Sequence, residues 1–216
     1  MATYKAQVED LTGALNDDDA ISQWLTDGAR LVLNNLPTDK LERITEKVSF
    51  TNTTTSKEKR ILSVHRKDAS NGNLFMPARE LSAKHLGRVE DSDYMEFATA
   101  NDPAYILHNN KIQTYPGSAA TDDSMVLFVD TTVEIAAGAQ GGSVEDVPPE
   151  SEQVIVLYAA RNGLERLISD ANVDEDPELV ASLLGQYQVV DRQYKEGLQI
   201  LGIDKLYIEK DLPDRR

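Results

Sequence analysis

The sequence predicts an α+β fold, mainly an α-helical bundle with a β-rich insertion between the N-terminal and C-terminal helices. Three observations carry this. Residues 147–201 hold two long helical patterns separated by an acidic hinge, and residues 17–36 hold a third amphipathic pattern. Between them, residues 48–142 switch to β-branched and alternating stretches broken by Asn, Gly and Pro. The organisation read from this is residues 1–47 as N-terminal helices, 48–142 as a β-rich insertion subdomain, 143–202 as a helical hairpin and 203–216 as a C-terminal tail.

The chain has 216 residues, no cysteine and a formal net charge of -15, which is ample length for one core with an appended subdomain. Without cysteine there are no disulfides, thiol nucleophiles or thiolate metal sites. No apolar run approaches the roughly 20 residues that span a bilayer, and the start MATYKAQVED has no signal-peptide core. The expectation is synthesis in the cytoplasm and no membrane contact. A pI of about 4.6 argues against a nucleic-acid-binding face, because that needs lysine and arginine to displace counterions from phosphate. A like-charged wall that DNA slides past remains compatible with it.

Asp17-Asp18-Asp19 precede Ile21, Trp24, Leu25, Gly28, Ala29, Val32, Leu33 and Leu36, an amphipathic helix ended by Asn34-Asn35 and Pro37. The aspartates read as capping at the positive end of the helix dipole, since no second cluster of oxygen ligands accompanies them. Leu41 and Ile44 suit a short second helix after Pro37. From Val48 the chain reads as strands, through Phe50 and Thr53-Thr54-Thr55 to Ile61, Leu62 and Val64, with a turn at Ser70-Asn71-Gly72-Asn73. Pro77 is read as opening a short helix through Leu86, with Gly87 after its end. Asn109-Asn110 joins residues 105–107 and 111–115 as a two-residue hairpin. Residues 125–129 and 131–135 make one long strand or two short ones, and 136–142, with three glycines, read as a flexible connection.

Val147-Pro148-Pro149-Glu150 is a strong helix start. The run 154–160 is apolar on nearly all sides and needs cover from more than one neighbour. Residues 170–176 break the helix and Pro177 restarts it. Leu179, Leu183, Tyr187, Val190, Tyr194, Leu198 and Leu201 then continue at spacings of three or four before Gly202. An antiparallel hairpin with helices of roughly 35 Å follows.

No chemistry-bearing constellation stands out. His65, His85 and His108 are scattered, there is no Gly-rich phosphate loop or GxSxG elbow, and Ser118 and Thr121 lack a base. Tyrosine is the dominant aromatic. Tyr158 and Tyr187 read as core, whereas Tyr105, Tyr115 and Tyr207 suit core and protein interface equally. The tail is a solvated end by its charges, but Leu206, Tyr207, Ile208 and Leu212 are more apolar than a free tail needs.

The order of elements resembles a known group. Trp24-Leu25-Thr26-Asp27-Gly28-Ala29-Arg30 in the first amphipathic helix, Asp91-Ser92-Asp93-Tyr94, Ala98-Thr99 and Asp102-Pro103-Ala104-Tyr105 in the middle, and Val147-Pro148-Pro149-Glu150 leading into 154–160 are similar to head-to-tail adaptor (connector or neck) proteins of tailed bacteriophages, notably those of cyanophages. The resemblance covers residues 17–191 and its motifs are structural. It implies a virion structural protein of the neck, a homo-oligomer ring, usually of twelve copies, beneath the portal protein and joined to a tail, nozzle or tube protein. Double-stranded DNA passes through the lumen without sequence-specific binding. It further implies no catalysis, no cofactor and no metal, a tail docking on the portal through Leu206, Tyr207, Ile208 and Leu212, and subunit contacts at Trp24, Tyr105, Tyr115 and Tyr187. The alternatives are a tail-tube or tail-completion protein of the same virion and, from another class, a small-molecule-binding protein or enzyme with a site between bundle and insertion.

Overall fold

The computed structural model describes residues 2–56, 59–68, 72, 74–117, 122–140 and 147–203. Ser70, Asn71 and Asn73 of the expected turn and all of 204–216 lie outside the described residues. The chain forms two compact units, a helical one of residues 1–44 and 132–216 and a strand-rich one of residues 45–131.

The helical unit has five α-helices among the described residues: α1 (Tyr4–Thr12), α2 (Asp18–Asn35), α3 (Thr38–Leu41), α4 (Glu152–Val173) and α5 (Pro177–Leu201). Helix α1 was not expected from the sequence. Its apolar stripe is thin, with Tyr4, Val8 and Thr12 buried at i, i+4 and i+8, and Thr3 caps it by accepting from the Ala6 N–H at 3.2 Å. Asp17 caps α2 by accepting from the Ala20 N–H at 3.0 Å, as the aspartate run suggested. A 3-10 turn at Pro149–Ser151 leads into α4, whose Val154, Ile155, Val156, Leu157, Ala159 and Ala160 are all buried. Helices α1, α2 and α5 supply the several-sided cover that this run requires.

Helices α4 and α5 are about 33 Å and 37 Å long at ~1.5 Å per residue. They are antiparallel: Val154 meets Gly197, Tyr158 meets Tyr194 with ring centroids 6.0 Å apart, and Arg161 meets Tyr187. Gly202 ends α5 in the left-handed region at φ 78°, which frees its N–H to cap Gln199 and Leu198. The chain does not leave the unit there. Ile203 is 3% exposed and its N–H donates to the Leu198 carbonyl at 2.9 Å, so the sequence's tail boundary falls one residue too early.

Residues 132–140, grouped with the insertion by sequence, belong to the helical unit. Thr132–Ile135 is not a strand, because hydroxyls of α2 take the place of a strand partner. The Ile135 N–H donates to Thr26 Oγ1 and the Ala137 N–H to Ser22 Oγ, both at 3.0 Å. The expected flexible connection is likewise pinned over its described part: Tyr4 and Lys5 N–H donate to the carbonyls of Ala139 and Ala137 at 2.9 Å. Gly141 and Gly142 lie outside the described residues.

The strand-rich unit contains β1 (Glu46–Phe50), β2 (Thr53–Thr55), β3 (Lys59–Arg66), β4 (Met76–Pro77), β5 (Arg79–Leu81), β6 (Ala104–His108), β7 (Lys111–Tyr115) and β8 (Ser124–Asp130). They form two four-stranded sheets, β1-β8-β3-β4 and β2-β7-β6-β5. Phe50, Val64, Val126 and Phe128 of the first sheet pack with Tyr105 and Ile112 of the second as a shared core. The other face of the second sheet holds Ala104, Ile106 and Tyr115 against Val89 and Ala98. Asn109 and Asn110, at φ 52° and 56°, make the two-residue hairpin between β6 and β7 as expected.

The helix expected over 77–86 is absent. The Ala78 N–H donates to the Val64 carbonyl at 2.8 Å and the Arg79 N–H to the Pro103 carbonyl at 2.9 Å, and β5 pairs in parallel with β6. A non-local strand partner therefore overrides the local proline signal, and a 3-10 turn at Ala83–His85 is the only helical part.

Candidate functional site

Among the described residues of the helical unit, helix α5 carries most of the exposed large apolar side chains. One side, with Leu183, Val190, Tyr194, Leu198 and Leu201, is buried. The close approach to α4 is set by Gly197, where a Cβ would lie 2.7 Å from Val154 Cγ2. Midway, Arg161 Nε donates to Tyr187 Oη at 3.0 Å, Tyr187 Oη donates to Glu165 Oε1 at 2.8 Å, and Arg161 Nε lies 3.6 Å from Asp191. Burial raises the Tyr187 hydroxyl's pKa, with Glu165 adding to it and the Arg161 bond opposing. The network clips the two helices together at their rim.

On its other sides α5 exposes Leu179, Leu184, Val189 and Ile200, the last to 79%. Leu179, placed by its spacing in the core series, is instead 46% exposed, and Tyr187 is half-buried. Leu184, Val189 and Ile200 were missed by sequence reasoning. The doublets Leu183-Leu184 and Val189-Val190 were the available signal, since a one-sided amphipathic helix needs only one member of each. Val173, at the end of α4, is also 79% exposed. Beside it, a groove of about 380 Å³ runs between the end of α4 and the start of α5, lined by Ala171, Asp176, Pro177, Val180, Ala181 and Leu184.

The residues expected at subunit contacts are divided between the two units. Trp24 is half-buried on α2. Tyr105 and Tyr115 are 8% and 3% exposed, in the two cores of the strand-rich unit, so their rings are already committed within the chain. Tyr105 Oη donates to Glu80 Oε2 at 3.1 Å, and burial followed by the Glu80 charge pushes its pKa up to about 12. Leu206, Tyr207, Ile208 and Leu212, expected to dock on the portal, lie outside the described residues, as do Ser118 and Thr121.

The histidines stay apart. His65, on β3, has its pKa lowered by burial; His85 Nδ1 lies 3.0 Å from Glu96 Oε1; His108 is exposed at the β6 end. Among the described residues no group of three or more His, Cys, Asp or Glu side chains is placed to hold a metal ion. Two of the three aspartates are spent on capping and pairing: Asp17 caps α2 and pairs with Arg166, and Asp18 accepts from Lys5 Nζ at 2.6 Å. A polar groove of about 610 Å³ along α2 is lined by Ser22, Gln23, Thr26, Arg30 and Glu134. The Ser22 and Thr26 hydroxyls there are occupied by backbone N–H groups, which suits anchoring rather than nucleophilic attack. Among the described residues no helix is long and apolar enough to cross a membrane. Compared with protein-family models and with curated proteins, the chain matches none.

Proposed function

We propose that this protein is a structural component of a tailed-phage virion, a head-to-tail adaptor. Its copies form a ring beneath the portal and join it to the tail, and double-stranded DNA passes through the lumen. The observation that carries the reading is α5: a 25-residue helix with one side buried and Leu179, Leu184, Val189 and Ile200 left exposed. A long helix with apolar residues on its outer sides is suited to being covered by another protein surface. The order of elements, a helical unit split by a strand-rich one, accords with the adaptor resemblance. The net charge of -15 suits a lumen that must release DNA, since like charge keeps the duplex from adhering. In this reading the protein works by geometry, without catalysis. Ring assembly buries subunit faces, the tail after Ile203 docks on the portal, and the strand-rich unit faces neighbouring copies or the tail.

The test is to mix the purified chain with portal-bearing heads and image them by negative stain, with the chain labelled. A ring of density at the neck supports the adaptor. Label along the length of the tail points to a tube protein instead, and no association with heads overturns the reading.

A further inference from the structure

We infer that the outward face of α5, centred on Gly185, is a self-recognition surface through which two free copies of this chain pair antiparallel. Residues 179–190 read LVASLLGQYQVV, twelve consecutive positions without a charge in a chain that is 27% charged with a net charge of -15. Two such molecules repel over most of their surfaces. An uncharged face lets them meet without burying like charges. Val189, 46% exposed, supplies apolar area beside Gly185, and Leu184 and Leu179, each more than 40% exposed, flank it about a quarter and a third of a turn away on either side.

Gly185 is the second observation. Glycine in a helix interior costs stability and usually has a packing reason. Three other helical glycines have one: added Cβ atoms at Gly28, Gly163 and Gly197 would lie 2.9, 2.9 and 2.7 Å from Tyr158, Leu15 and Val154. At Gly185 nothing lies within 4 Å of the added Cβ. Nothing in the described fold requires a bare backbone at this exposed position, whereas a second helix crossing there could approach closely.

Charge identifies the occupant. Glu178 and Arg192 each lie seven residues, about two turns, from Gly185, and so share its face. Both are exposed, and Arg192 has its own-helix neighbour Glu196 at 3.9 Å. Two copies of α5 crossing antiparallel at Gly185 bring Glu178 of each opposite Arg192 of the other. The helix is thus complementary to itself, and a two-fold contact of this kind closes at a dimer. It would cover the exposed face in the free chain until another surface replaces it.

Sedimentation velocity over rising concentration tests this. The native chain should pass from monomer to dimer and stop there. Arg192→Glu and Glu178→Arg should each weaken the dimer about tenfold or more, and the double swap should restore it to within about threefold of native. Gly185→Leu should abolish pairing while the monomer's Tm does not fall. A chain that stays monomeric to several hundred micromolar, a double swap no better than the single reversals, or dimers unaffected by Gly185→Leu would overturn the assignment. Portal-bearing heads separate this from the adaptor reading. Dimers that never label the neck sink the adaptor and leave the pairing, and neck density from a chain that never dimerises does the reverse.

Discussion

Arg66 Nε donates to the carbonyl oxygen of Pro116 at 3.0 Å, tying the end of β3 in one sheet to the chain just past β7 in the other. Arg66 is 0% exposed. Its Nη1 also reaches Ser124 Oγ at 3.2 Å, and that hydroxyl in turn donates to the Thr51 carbonyl at 2.8 Å and lies 2.7 Å from Thr114 Oγ1. The cluster gathers the β1–β2 crossover, the end of β7 and the start of β8. Burial pulls the guanidinium's pKa down and the Asp123 and Asp68 charges oppose that.

Removing this side chain strands buried acceptors. Arg66→Ala should cost about 3 kcal/mol. Arg66→Lys should also be costly, because an ammonium lacks the planar fork that reaches two partners at once. The loss should appear as a lower urea midpoint of the far-ultraviolet strand signal. Fluorescence of Trp24, the single tryptophan and part of the helical unit, provides a separate record of that unit. A midpoint unchanged in Arg66→Ala would show that the cluster contributes nothing net.

Two glycines of α5 should respond in opposite directions. Gly197→Ala pushes a methyl to within 2.7 Å of Val154 Cγ2, and a β-branched side chain has little freedom to yield. The expected loss is about 1–3 kcal/mol. Gly185→Ala meets nothing and should gain about 0.8 kcal/mol from helix propensity. Thermal unfolding at low concentration reads both.

Tyr105 predicts an alkaline limit. Its folded pKa is about 12 against ~10 for an unfolded tyrosine, so the neutral hydroxyl favours the folded state. That stability is fully present below pH ~10 and is lost as pH rises through about 12, by about 3 kcal/mol in all. Tyr105→Phe should flatten this part of the stability profile. Denaturant unfolding at stepped pH, with near-ultraviolet tyrosinate absorbance, checks it.

Truncation should separate fold from docking at a defined residue. Deleting residues 204–216 leaves Ile203 in its buried place and should not lower Tm, while attachment to portal-bearing heads is lost. Deleting Ile203 as well should lower Tm by several degrees, since a side chain 3% exposed is removed. Attachment that survives the first deletion would remove the portal role of Leu206, Tyr207, Ile208 and Leu212.

The helical hairpin was legible because its signals are local. Pro149, Pro177 and Gly202 punctuate it, and the all-round apolar run 154–160 announced a buried helix. The candidate surface was only half legible. Leu179 fits the core spacing by sequence yet is exposed, because spacing shows which residues share a face and not where the covering helix ends. Tyr105 and Tyr115 fitted core and interface equally, and two sheets and the chain over 82–98 were needed to place them inside.

What the sequence determined by itself is the run of helices α2, α4 and α5, the hairpin at Asn109-Asn110 and the existence and start of a strand-rich part, all marked by local periodicity and turn chemistry, but not where that part ends. Only the tertiary structure decided that 79–81 is a strand, that 132–137 lies on α2 rather than in a sheet, and that Arg66 is buried. Each of these depends on a partner far along the chain, whether the β6 backbone, the hydroxyls of Ser22 and Thr26, or the Pro116 carbonyl, and long-range partners leave no local mark.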